Sequence, residues 1–199
     1  MRQKLTLALS LCLLAAGCTP RDFLTRRLAG DLIANSAAFK APQQFFLRTG
    51  AVSNMEYTRP EYLVLQRRGW ITGATTSCPA EVSPPPCWEV SLTPMGVETF
   101  RDLIARDGTP HQFFSVSTAR RQLVRVDGIA RDENSADVDF TWKWIPINEV
   151  GAALSQSGVE FKSTVAFRHY DDGWRVMEGA AAKRQQGMDD ALKDAQPAQ

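Results

Sequence analysis

Between Asp137 and Ile145 the chain alternates without a break. Val138, Phe140, Trp142 and Trp144 point one way, and Asp137, Asp139, Thr141 and Lys143 point the other. Successive side chains of a strand face opposite sides, so this run suits a strand with one packed and one wet face, the hallmark of an antiparallel sheet. The same period returns from Gly158 to Tyr170 through Val159, Phe161, Val165 and Phe167. It also runs over Arg121–Ile129, where Val124 and Val126 lie on one side and Leu123, Arg125 and Asp127 on the other. Asp172-Gly173 is a tight-turn pair, and Trp174-Arg175-Val176-Met177 completes a hairpin behind it. The stretch 117–178 is therefore expected to be an antiparallel β-meander.

The first half reads differently. Phe23, Leu24, Leu28, Leu32 and Ile33 recur at helical spacing within Arg21–Ala38. Pro42 then breaks the helix, Phe45-Phe46-Leu47 reads as a buried strand or turn, and Gly50–Asn54 as a loop. A helix is predicted from Pro60 to Gly69, with Tyr62, Leu63 and Leu65 on its apolar side. Trp70-Ile71-Thr72 and Trp88–Leu92 read as two strands of a hairpin whose long loop carries Cys78, Pro79, Pro84, Pro85, Pro86 and Cys87. Thr93-Pro94 caps a further helix in which Val97, Phe100 and Ile104 share a face and which ends near Gly108. The expected fold class is thus α+β, with N-terminal helices and a stapled β-hairpin over 21–108 and the meander after them, forming one domain over 18–178. The last stretch, 179–199, is polar and alanine-rich and reads as a frayed helix or disordered tail.

The N-terminus carries an address. Arg2 and Lys4 precede an apolar run from Leu5 to Ala16, then Gly17-Cys18. Two cations, a short apolar core and small residues before a cleavage point make a signal peptide over 1–17. The run is shorter than the roughly 20 residues that span a bilayer. The ending Leu14-Ala15-Ala16-Gly17-Cys18 resembles the lipobox of bacterial lipoproteins, although Ala15 stands where leucine is commoner. That resemblance implies acylation (diacylglycerol and palmitate-type chains) at Cys18, with the bilayer as the first partner. Thr19 is not the aspartate that retains such proteins at the inner membrane in enterobacteria, so the resemblance implies an outer-membrane lipoprotein facing the periplasm.

Composition agrees with an exported chain. Losing Arg2 and Lys4 takes the 23 cations to 21, against 22 acids, for a mature net charge of −1. A balanced surface offers no long-range attraction to nucleic acid. With Cys12 discarded and Cys18 acylated, Cys78 and Cys87 remain as an even pair, and an oxidising compartment makes a structural disulfide the expected state.

Catalytic motifs are sparse. The histidines are His111 and His169, and only His169 has a neighbouring carboxylate, Asp171, that could orient it as a general base. A strand histidine before a turn whose aspartates favour the turn is the simpler reading. There is no Gly-x-Ser-x-Gly, His-Glu-x-x-His or phosphate-binding glycine loop, so no cofactor, metal or catalytic residue is assigned. Tryptophan is the one conspicuous residue type. Trp142 and Trp144 align with Phe140 and read as core, whereas Trp70 and Trp88 flank the stapled loop and are the candidate partner-binding residues.

Two further resemblances are local. Leu65-Gln66-Arg67-Arg68-Gly69-Trp70-Ile71, followed by Leu92-Thr93-Pro94-Met95-Gly96, is similar to the helix, wing and next helix of a winged-helix domain. Arg67 and Arg68 are too few cations for the phosphate neutralisation DNA binding needs, so only the geometry is carried over. The strands ending in Gly173-Trp174-Arg175-Val176 resemble the sheet of nuclear-transport-factor-like cone domains, which implies a small-ligand cavity over the sheet. The function expected is a non-catalytic binding module of the envelope whose partner is another envelope protein or a glycan. A cell-wall hydrolase using His169 and Asp171, and a cone-type ligand binder, are the alternatives.

Overall fold

The computed structural model describes residues 23–82, 85–103, 113–155, 158–179 and 186–198. The proposed signal peptide, Cys18 and His111 lie outside them. In chain order the elements begin with helices α1 (Arg26–Asn35) and α2 (Ala37–Lys40), strands β1 (Gln43–Arg48) and β2 (Gly50–Ser53), and helices α3 (Asn54–Tyr57) and α4 (Pro60–Arg67). Strands β3 (Ile71–Thr76) and β4 (Cys87–Leu92), helix α5 (Pro94–Phe100), and the long strands β5 (Phe113–Asp132) and β6 (Ser135–Pro146) follow. Helix α6 (Glu149–Leu154), strands β7 (Glu160–Tyr170) and β8 (Gly173–Val176), helix α7 (Met188–Lys193) and the short β9 (Gln196–Pro197) complete the chain. The class is α+β with antiparallel sheets.

The chain divides into two compact units, not the single domain expected. The first takes Met1–Lys40, Leu123–Lys143 and Glu160–Gln199; the second takes Ala41–Gln122 and Trp144–Val159. The boundary therefore falls within β5 and β6, where a continuous alternating strand carries no mark of it.

In the first unit the strand order is β5-β6-β7-β8, with β9 also paired to β7. The register of β6 on β7 sets Val138 opposite Val165, Phe140 opposite Ser163 and Trp142 opposite Phe161. Val138, Phe140 and Trp142 are buried, as their alternation requires. Phe39 of α2 meets Phe140 and Trp142 edge-on at 6.3 and 6.5 Å between ring centroids. On α1, Thr25 accepts the Leu28 N–H as the N-cap, and Ala29 and Ile33 are fully buried. An added Cβ at Gly30 would come within 3.2 Å of Leu123 and 3.6 Å of Val126. These two β5 residues thus lie against one helix, and Val124 is exposed, so β5 departs from the simple alternation expected there.

The C-terminal stretch corrects the expectation of a tail. Met188, Ala191 and Leu192 of α7 are buried. The Trp142 indole N–H donates to Ser163 Oγ at 3.0 Å, and that hydroxyl donates to the Ala191 carbonyl at 2.7 Å. Three apolar positions in so short a helix leave too little periodicity to stand out from polar surroundings.

The second unit is built on the three-stranded sheet β2-β4-β3 and on the pairing of β1 with the first part of β5. Gly50–Ser53, read as a loop, is the edge strand β2, held by Cys87–Val90 of β4. Leu47, Val52, Tyr62, Leu65, Trp70, Ile71, Val90, Phe100, Val116 and Val150 form its core. Helix α5 ends at Phe100, earlier than expected; Val97 is exposed, and Ile104 lies outside the described residues.

Tyr62 links α4 to β1. Its hydroxyl accepts the Arg48 N–H at 2.8 Å and can donate to the Arg48 carbonyl at 3.1 Å or to Glu56 Oε1 at 3.3 Å. Burial, the largest influence, pushes its pKa up from 10.0 to about 12. Between those values the folded chain holds a proton that the unfolded chain has lost, so stability falls as pH rises through the window. The expected loss is about 2–3 kcal/mol by pH 12. Tyr62→Phe should remove this alkaline slope and orphan the Arg48 N–H, costing about 1–3 kcal/mol below pH 10. Denaturant midpoints from pH 8 to 12 check both effects. An identical alkaline slope in the variant would reject the assignment.

Candidate functional site

The residues singled out in the sequence divide sharply. Cys78 and Cys87 form a disulfide with Cα atoms 5.2 Å apart. Cys87 opens β4 and lies opposite both Thr76 of β3 and Ser53 of β2.

Trp70 is corrected as a contact residue. It is 5% exposed and packs edge-on against Phe100 at 6.1 Å, because the turn after α4 tucks it under α5. Gly69 makes that turn in the left-handed region, φ +70°, and the Trp70 N–H returns to the Leu65 carbonyl at 2.9 Å. Trp88 is half-buried. Its ring stacks on Tyr57 at 4.5 Å, and its indole N–H donates to Asn54 Oδ1 at 3.0 Å. Both rings are partly buried and pack against the core of the second unit.

His169 and Asp171 are engaged separately. The imidazole lies 5.0 Å from the Trp174 ring, and its buried Nε2 makes no hydrogen bond among the described residues. The Asp171 carboxylate accepts the Asp172 N–H at 3.0 Å, which fixes the β7–β8 turn. The Tyr170–Gly173 pairing leaves Asp171 and Asp172 as the two turn residues, with Gly173 at φ +121°. Among the described residues no group of three or more His, Cys, Asp or Glu side chains is placed to hold a metal ion.

A well-formed cleft lies in the first unit. It has a volume of about 580 Å³, and Arg125, Asp127, Asp139, Lys162, Thr164 and Asp194 are among its lining residues. Wet-face residues of the meander line it together with the buried Phe140, Ser163 and Ala191. Asp139 and Thr164 are register partners on β6 and β7, as are Thr141 and Lys162. Thr164 Oγ1 donates to Asp139 Oδ1, and Thr141 Oγ1 donates to Asp127 Oδ2, each at 2.6 Å. The Arg125 guanidinium bonds Asp127 at 2.6 Å and Glu160 at 3.3 Å. The Asp127 carboxylate, with Glu160 contributing less, raises the Arg125 pKa further and holds it charged. Gln186 and Asp194, joined at 3.0 Å, stand on the C-terminal segment.

The cleft offers both hydrogen-bond donors and acceptors. Carboxylates fixed by threonine and arginine donors keep part of their acceptor capacity for a ligand, and Lys162 brings exposed ammonium donors. The Ser163 hydroxyl is not a nucleophile, since it already accepts from Trp142 and donates to Ala191. The lining is mixed, with Phe140 and Ala191 beside the charged groups.

Asp139 was legible as a wet-face residue of the cleanest strand. The wall formed by residues 186–196 was not, because that stretch read as tail. Comparisons with protein-family models, with curated proteins and with solved structures find no match to this chain.

Proposed function

We propose that this chain is a lipid-anchored lipoprotein of the bacterial envelope that faces the periplasm, is sorted to the outer membrane, and acts as a non-catalytic binding module. The observation that carries this reading is the Leu14–Cys18 ending behind a short apolar run. The Cys78–Cys87 bridge supports it, because structural disulfides persist in oxidising compartments.

Two surfaces are available for binding. The Trp88–Tyr57 stack suits a peptide or sugar ring. The cleft at Asp127, Asp139 and Lys162 suits a small polar ligand or a saccharide with both hydrogen-bond donors and acceptors. The hydrolase reading is weaker. A base needs an orienting partner, and the His169 Nε2 has no hydrogen bond among the described residues while Asp171 Oδ1 accepts the Asp172 N–H.

Cys18→Ser tests the anchor. The wild-type protein should fractionate with membranes and carry the mass of a diacylglycerol and a third acyl chain. The variant should appear in the soluble periplasm or remain unprocessed. A processed variant that stays membrane-bound would reject the anchor.

A further inference from the structure

We propose that the first unit rests on the bilayer by the end that carries Phe23, Arg131 and the β5–β6 turn, a placement that depends on the acylation of Cys18 proposed above. Five peptide steps separate Cys18 from Phe23. A fully extended chain covers at most about 3.3–3.6 Å per residue, so their Cα atoms can be no more than about 18 Å apart. An acylated cysteine sits at headgroup level, in a layer about 5–8 Å thick on each side of the hydrocarbon. This end of the unit therefore stays within about 18 Å of the acylated cysteine.

The side chains found there suit that surface. Phe23 is 61% exposed, and the Arg131 guanidinium lies 4.0 Å above its ring and 5.2 Å from that of Trp174. An exposed aromatic ring paired with a guanidinium matches the interfacial zone, where rings meet the acyl boundary and arginine meets phosphate. Arg26 and Arg27, in the first turn of α1, are exposed close by in sequence.

Acidic residues crowd the same end. Asp132 and Glu133 stand at the β5–β6 turn, and the His169 N–H reaches the Asn134 carbonyl at 2.8 Å, which sets Asp171 and Asp172 nearby. The attraction is therefore not a matter of net charge, and the tether and Phe23 hold the unit on zwitterionic lipid as well. The placement also sets the height of the cleft. From Arg168, opposite Ser135 at the turn, β7 runs six residues to Lys162, about 20 Å at 3.3–3.4 Å per residue. With β7 standing along the bilayer normal, the orientation this placement implies, the cleft is held clear of the headgroups and open to soluble ligands.

The test uses the acylated full chain in phosphatidylcholine vesicles containing a headgroup spin-labelled lipid. A fluorophore is attached at Asp132→Cys or, in a second protein, at Lys162→Cys, the native disulfide being left oxidised. Quenching should be several-fold stronger at position 132 than at position 162. Equal quenching, or stronger quenching at 162, in protein that remains vesicle-bound and acylated would overturn the placement and leave the lipoprotein reading standing. A chain with no acyl mass at Cys18 that fails to float with vesicles would overturn both.

Discussion

Replacing Gly96 by alanine should destabilise the second unit by at least about 3 kcal/mol, the upper end of what overpacking costs. Helix propensity alone gives the opposite sign, since alanine is favoured over glycine by about 1 kcal/mol in a helix interior. The reversal has a steric cause. A Cβ at Gly96 would lie on the Trp70 carbonyl oxygen. That oxygen cannot move aside cheaply, because it accepts the Thr93 N–H at 3.1 Å and lies 3.3 Å from Thr93 Oγ1. Thr93 is itself the N-cap of α5, accepting the Gly96 N–H at 3.0 Å and donating to the Gly69 carbonyl at 2.5 Å.

Gly151 repeats the arrangement on α6, where a Cβ would lie on the Thr118 carbonyl oxygen, the acceptor of the Ile147 N–H. Urea unfolding of Gly96→Ala and Gly151→Ala should show lowered midpoints for both. A raised or unchanged midpoint for Gly96→Ala would mean that α5 is not seated on the Trp70 turn.

Removing the disulfide should cost about 2.5–3 kcal/mol, the chain entropy of so short a closed loop. The bridge joins residues nine apart. It anchors the loop to the first residue of β4, the central strand between β2 and β3. Cys87 is fully buried with its sulfur 3.8 Å from the Val82 carbonyl, so its thiol would remain enclosed after reduction. Cys78→Ser and reduction of the wild-type protein should lower stability by similar amounts, and reduction should add little in the variant, since both remove the same bond. Wild-type stability that is insensitive to reductant would show that the hairpin holds without the staple.

Local patterns were readable wherever a short stretch of sequence meets a single demand. The Asp137–Ile145 alternation foretold a strand buried at Val138, Phe140 and Trp142, and Thr93-Pro94 foretold a capped helix start. Trp70 failed because its burial depends on a helix that begins 24 residues later. Gly50–Ser53 failed because a four-residue edge strand exists only through its partner β4.

By itself, then, the sequence determined the α+β class, the meander and most of its wet face (Thr141, placed there by the alternation, is fully buried), and the cysteine pair that could close the stapled loop. Each follows from side-chain period or residue chemistry within a few positions. Only the tertiary structure decided that β5 and β6 each run through both compact units, and that residues 186–198 pack as a helix and an edge strand. It alone brought Asp127, Asp139, Lys162 and Asp194 to one cleft. Those residues come from four separate segments: strand pairing sets the first three side by side, and burial of Met188, Ala191 and Leu192 brings up Asp194, a gain that no local pattern records.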